Sequence, residues 1–380
     1  MLAAPPLSLY VHLPWCLRKC PYCDFNSHEA KGELPDEAYV DALLRDLDFE
    51  AGLVRGRAIQ SIFIGGGTPS LFSGAAIGRL LEQIRARLPV DSSAEVTLEA
   101  NPGAVEAERF AAYRSAGINR LSIGVQSFRD AQLKALGRIH GAAEAARAMA
   151  VARTAGFVNI NLDLMYGLPG DDEPGSLRDL ERAIELGPTH LSWYQLTLEP
   201  NTAFHRTPPP LPNDDWIAGI EARGRALLER HGYERYEVSA YAQPGSRCVH
   251  NLNYWQFGDY LGIGAGAHGK LSDTAGNVIE RRSKRRNPRT YMAQAGTAAS
   301  VAVERVEEPQ QLALEFMMNA LRLPEGTSAA HFEERTGQTR ASIEQPLREA
   351  ASRGWLSIES GELKPTPAGL QMLNAMLALF

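Results

Sequence analysis

From Leu7 to about Glu199 the chain alternates short, nearly continuous apolar runs with longer stretches in which apolar positions recur every three or four residues. The short runs fall at 7–13, 61–64, 95–99, 120–125, 158–164 and 190–198. Their weak alternation is that of parallel strands covered by helices. The stretches between them, 36–50, 76–88, 105–116, 142–155 and 176–186, carry helical periodicity. A succession of strand–helix units of this kind predicts an α/β fold, either a barrel or a partial one.

The pattern breaks at Thr207-Pro208-Pro209-Pro210-Leu211-Pro212, which reads as an extended connector. Beyond it the sequence predicts a helix over 214–231, a strand over 233–241 and a glycine-rich segment at 261–269. From about Val306 the pattern turns helical, with a small hairpin pairing 355–358 and 362–365, as in a winged-helix-like domain. Three regions follow, at 1–206, 207–305 and 306–380, the last mainly helical. The apolar end, 372–380, reads as a packed final helix.

Composition narrows the functional classes. A chain of 380 residues, 44% hydrophobic and 22% charged, can bury a large core. Its net charge of −6 gives no electrostatic case for gripping a phosphate backbone, so nucleic acid is not expected as a partner. The first residues lack a basic start and lead straight into the first strand, and no apolar run reaches the ~20 residues that span a bilayer. A cytoplasmic location is the expectation.

Three of the four cysteines, Cys16, Cys20 and Cys23, stand within eight residues as C-x3-C-x2-C. Structural zinc takes four ligands, and Cys248 is far away in sequence. Scarce cysteines in a long chain indicate a reducing compartment, and a disulfide among the three would strand the third. Three thiolates on a cubic iron-sulfur cluster leave one iron without a protein ligand, open to a small molecule.

With Tyr22 just before the last cysteine, the trio resembles the signature of the radical S-adenosylmethionine (SAM) superfamily. The flanking His12-Leu13-Pro14-Trp15-Cys16 and Cys23-Asp24-Phe25 narrow the resemblance to the branch that holds oxygen-independent coproporphyrinogen III oxidase and the HemW family of heme chaperones, over nearly the full length. It implies a partial (β/α)6 barrel, a 4Fe-4S cluster on Cys16, Cys20 and Cys23, and SAM at the open iron. There an electron from the cluster breaks a carbon–sulfur bond of SAM.

Barrel folds carry their chemistry at the carboxyl ends of strands, and the special residues of this chain fall there. Cys16 follows the first predicted strand, Gly65-Gly66-Gly67-Thr68-Pro69 the second, Glu99-Ala100-Asn101-Pro102 the third and Gln126 the fourth; Asp163 lies near the end of the fifth. A triple glycine suits close approach of backbone to ligand. The resemblance makes Gly66, Gly67 and Thr68 contacts to the methionyl end of SAM, and gives Glu99 to the ribose hydroxyls. Gln126, Arg138 and Asp163 supply further polar contacts, with Arg138 the natural partner of the SAM carboxylate; Tyr10 and Tyr22 match aromatic or SAM-contacting positions. His12 is expected to make a buried hydrogen bond and His140 to lie behind the site, with His268 a weaker candidate for approaching SAM.

The second informative segment is Cys248-Val249-His250-Asn251-Leu252-Asn253-Tyr254-Trp255. It resembles the H-N-x-x-Y-W motif of the HemW family, which implies heme binding, with His250 as an iron ligand and Tyr254 and Trp255 as flat apolar surface. The bare residues equally fit a buried histidine among core aromatics, and Cys248 an inert thiol. The run Arg281-Arg282-Ser283-Lys284-Arg285-Arg286 reads as a solvated basic strand or loop.

Within the branch, the oxidases extend the motif to C-x3-C-x2-C-x-C, where this chain has Phe25, and carry a long segment ahead of it. Both departures, with H-N-x-x-Y-W, favour a heme chaperone over the oxidase. The implied partners are heme, heme-accepting respiratory proteins and an electron donor for the cluster, with contact to the membrane during delivery left open.

Overall fold

The computed structural model describes residues 2–380 apart from 105, 106, 172 and 307. Six strands, β1 (Leu7–Leu13), β2 (Ile59–Gly66), β3 (Val90–Ala100), β4 (Arg120–Gln126), β5 (Asn159–Tyr166) and β6 (His190–Gln195), pair in sequence order and in parallel. Each predicted run lies on one of them, and the last stops three residues early. The helices between them are α1 (Asp36–Glu50), α2 (Gly74–Arg87), α3 (Ala107–Ala116), α4 (Ala142–Thr154) and α5 (Glu173–Leu186). Residues 105 and 106, at the start of the predicted third helix, lie outside the described residues. Helix α2 begins two residues earlier than its periodicity suggests because Ser73 caps it, its hydroxyl accepting from Ala76 N–H.

After the proline connector, α6 (Asp214–Arg230) is capped by Asn213, which accepts from Trp216 N–H. The predicted strand at 233–241 is instead an antiparallel pair, β7 (Glu234–Arg235) and β8 (Ala240–Ala242). The chain doubles back because the buried Glu237 carboxylate takes both the N–H and the hydroxyl of Ser239. Helix α7 (Val249–Trp255) follows, then β9 (Asp259–Ile263), β10 (His268–Asp273), β11 (Val278–Lys284), α8 (Pro288–Gln294) and β12 (Val301–Arg305). Strand β9 pairs in parallel with β1, Leu7 opposite Asp259 and Val11 opposite Ile263. The whole sheet runs β12-β11-β10-β9-β1-β2-β3-β4-β5-β6-β8-β7, so the middle region extends both edges of the partial barrel.

The basic run departs from its expected solvated role. It forms much of β11, and strand alternation turns Arg282 and Lys284 inward. Lys284 Nζ lies 2.6 Å from Asp46 and 2.7 Å from Glu50, and Arg282 Nε lies 2.8 Å from Glu50. These pairs fasten α1 to the added strands. Arg281 pairs with Glu315, while Arg285 and Arg286 remain exposed.

The carboxy-terminal region has its own apolar core, around Phe316, Phe332, Leu347 and Leu363. It carries α9 (Pro309–Ala320), α10 (Ala329–Thr336) and α11 (Glu344–Ser352), with a three-stranded sheet of β13 (Thr327–Ser328), β14 (Leu356–Glu359) and β15 (Glu362–Pro365) in the order β13-β15-β14. The β14–β15 hairpin matches the predicted one. Of the apolar end, Met376 is buried in this core and Leu373, Leu377, Leu379 and Phe380 pack partly buried against it, while Met372 is exposed. No helix among the described residues is long and apolar enough to cross a membrane.

Candidate cluster and cofactor site

The carboxyl ends of β2 to β6 surround a cavity of about 480 Å3. Its lining joins eleven of the thirteen residues singled out in the sequence: Cys16, Cys20 and Cys23 with Tyr22, then Gly66, Gly67, Thr68, Glu99, Gln126, Arg138 and Asp163. The two exceptions are Tyr10 and His250, which lie deeper in the barrel.

The cysteine loop is held from beneath and beside. Trp15–Cys16 pairs with His28–Glu29, and His12 Nε2 bonds Asn26 O at 2.8 Å while its Nδ1 meets Tyr10 OH at 2.9 Å. His12 is thus the buried hydrogen-bonding residue expected, with burial lowering its pKa to about 4. The glycine turn is sewn to the same loop, Gly67 N–H to Leu13 O and Thr68 N–H to Trp15 O. Sterics dictate the glycines. Gly66 has φ +112°, and a Cβ there would stand 2.5 Å from the His12 ring; one on Gly67 would stand 2.5 Å from Trp15 O.

The three thiols are half-buried and free. Burial pushes those of Cys16 and Cys23 up, so their ionised form needs a neighbouring cation. Arg138 Nη1 reaches Cys20 Sγ at 3.7 Å while Nη2 donates to Gly124 O at 2.7 Å. Its Nε is buried with no partner among the described residues, a donor left for a ligand beside the thiols. Among the described residues no three His, Cys, Asp or Glu side chains converge on a single-ion site. Cys248, the only other thiol, is buried elsewhere against Glu95 Oε1 at 3.4 Å, and burial pushes its pKa up to about 12. The donor set is therefore three thiols around a shared hollow, which fits a 4Fe-4S cluster with one open corner.

Glu99 accepts Gly66 N–H at 3.0 Å. Desolvation, reinforced by Asp163, raises its pKa from 4.5 to about 7. Asp163, also pushed up by burial, accepts from Asn161 Nδ2 at 2.8 Å and from Ser122 Oγ at 3.1 Å. Gln126 has φ +70°, a conformation that a non-glycine residue holds only when its surroundings enforce it. Its Oε1 accepts from Tyr194 OH at 3.0 Å. A cavity with buried carboxylates, backbone exposed at glycines and an Arg donor suits a small zwitterion with ribose hydroxyls, as SAM is.

The pKa of Glu99 has a stability consequence. The folded chain holds a proton there that the unfolded chain releases at lower pH, so stability falls as pH rises from 4.5 towards about 7. The loss amounts to about 3 kcal/mol. Denaturant midpoints of wild type and Glu99→Gln across this range are expected to diverge, with the glutamine variant flatter and more stable at pH 8. Equal slopes for the two would remove Glu99 as the source.

Tyr10 sits below this layer, stacked on Phe63 with centroids 6.3 Å apart, and burial raises its pKa. His250 lies on the barrel floor, with Nδ1 3.1 Å from Ser61 Oγ and Nε2 3.1 Å from Tyr254 OH. Burial, then Arg120, lowers its pKa to about 3. His140 is buried behind the site, Nε2 on Val125 O at 3.1 Å, and His268 is exposed on β10, outside the cavity lining. Sequence reasoning missed Ser122, Ser192 and Tyr194, which also line the cavity. Their signal is period-two polarity within apolar strands, as in Ser122-x-Gly124-x-Gln126. It missed Glu237 as well, which forms the far wall together with Asn251 and Trp255 of the H-N-x-x-Y-W segment.

Comparison with known proteins agrees with this geometry. Residues 10–186 match the radical SAM superfamily and 308–372 the HemN C-terminal domain. The chain is 51% identical to the heme chaperone HemW of Escherichia coli over 380 residues, covering 100% of this chain and 99% of the relative. It is 47% identical to that of Haemophilus influenzae, covering 99% and 98%. A mitochondrial radical S-adenosyl methionine domain-containing protein 1 from Mus musculus is 34% identical, covering 99% and 87%. Among solved structures, E. coli coproporphyrinogen III oxidase shares the fold with a TM-score of 0.83 at 24% identity, covering 99% of this chain and 90% of that one. The family cofactors, a 4Fe-4S cluster and SAM, have their fitting residues in the cavity. Likeness over the full length, with the three thiols and the glycine turn in place, makes this chain a member of the HemW family of radical SAM proteins.

Proposed function

We propose that the protein is a heme chaperone that takes up heme beside its cluster and hands it to acceptor heme proteins, respiratory ones among them. The observation that carries this reading is a single chamber: the thiols line it on one side, and Asn251 and Trp255 of the H-N-x-x-Y-W segment line it on another. On this reading heme and SAM would share one hollow. Cys16, Cys20 and Cys23 would hold the cluster, whose reduced form would supply an electron to SAM. Gly66, Gly67, Thr68 and Arg138 would orient SAM, and Glu99 would accept from its hydroxyls. An electron donor is required, and it approaches where the cysteine loop is exposed, at Leu17 and Phe25.

The alternative is oxidation of coproporphyrinogen III. The shared fold supports it equally, but Phe25 occupies the place of the oxidases' fourth cysteine and is 56% exposed. Protein reconstituted anaerobically is expected to bind heme at about one per chain and to leave coproporphyrinogen III unconverted with SAM and reductant. Turnover of coproporphyrinogen III to vinyl products would replace the chaperone with the oxidase.

A further inference from the structure

The H-N-x-x-Y-W segment occupies one short helix, α7, and its side chains divide between two faces. His250 and Tyr254, four residues apart, share one face. The imidazole stacks there on Phe63, ring centroids 5.0 Å apart, with Nδ1 hydrogen-bonded to Ser61 and Nε2 to Tyr254. Asn251 and Trp255, also four apart, line the cavity.

This second face offers donors. The indole Nε1–H of Trp255 is sealed from solvent and has no partner among the described residues, a state that persists cheaply only when a ligand brings an acceptor. Arg322, from the carboxy-terminal region, lies 4.3 Å over the indole ring and 3.2 Å from Glu237. The other oxygen of Glu237 is taken by Ser239. The one carboxylate of this wall is thereby satisfied and its charge countered, leaving the wall to an incoming anion.

We propose that Asn251 and Trp255 hold a carboxylate of heme, and that His250 is a positioning residue that forms no bond to the heme iron. This rests on the heme-binding reading above. Heme carries two carboxylate side chains and SAM one, and the assignment is to heme.

Titrating the cluster-loaded protein with heme and with heme dimethyl ester, with and without SAM, tests it. Asn251→Ala and Trp255→Phe are each expected to weaken heme about tenfold. The ester is expected to bind wild type about that much more weakly, with no further loss in either variant. In His250→Gln the Soret position and the electron paramagnetic resonance signature of the heme iron are expected to match wild type. Tyr254→Phe, which keeps the imidazole and frees Nε2, guards against misfolding of that variant and should also match. A changed axial signature in either makes His250 the ligand and overturns the proposal. So does an ester that binds as tightly as heme. Weakened SAM with unchanged heme in Trp255→Phe assigns the donors to the SAM carboxylate instead. Wild type that binds no heme sinks the chaperone reading itself, a result distinct from these.

Discussion

A Cys20→Ser chain, reconstituted anaerobically, is expected to hold less than roughly a tenth of the iron and sulfide of wild type. Two thiolates would remain for a cluster that needs three, and no other thiol is at hand: Cys248 is fully buried against Glu95, away from the cavity. The variant also removes the sulfur that Arg138 meets, leaving that guanidinium only its bond to Gly124 O. Far-ultraviolet circular dichroism should be unchanged, because the loop is held by His12 and Asn26 rather than by the thiols. Iron and acid-labile sulfide at wild-type levels would show that Cys20 is not a ligand.

Lys284→Met should destabilise the fold by about 3 kcal/mol or more, read as a shift in denaturant midpoint. Lys284 is 4% exposed and sits between Asp46 and Glu50, both buried. Without it Arg282 still serves Glu50, but Asp46 keeps only the Tyr291 hydroxyl and Gly264 N–H. Removing one member of a buried group leaves a charge that neither water nor a partner offsets. A midpoint that moves by less than the equivalent of about 1 kcal/mol, the range of exposed pairs, would mean that water reaches the cluster of charges.

The six barrel strands were legible because both faces of each are covered, so apolar character alone reveals them. Strand β9 was not, although it completes the other side of β1. Its sequence, Asp259-Tyr260-Leu261-Gly262-Ile263, opens on a charge that is tolerable inside only because Lys270 and Arg57 meet it. Such pairing joins distant parts of the chain and leaves no local periodicity. The basic run hid its role for the same reason, since its counter-charges lie on α1. At the site, residues at strand ends were readable from position and type. The division of α7 into a floor face and a cavity face was not, because four-residue spacing says which side chains group together but not which group meets the hollow.

Strand β9 and Asn26 together set an order of events during synthesis. Asn26 Nδ2, which braces the cysteine loop, donates to Ala265 O and Arg286 O, and β1 gains its second neighbour only from Asp259–Ile263. Until residue 263 leaves the ribosome the first strand keeps a bare edge, and until residue 286 does the loop lacks its full brace. Nascent chains halted before that point should therefore be poor acceptors of iron and sulfide, and loading belongs to the late or finished polypeptide.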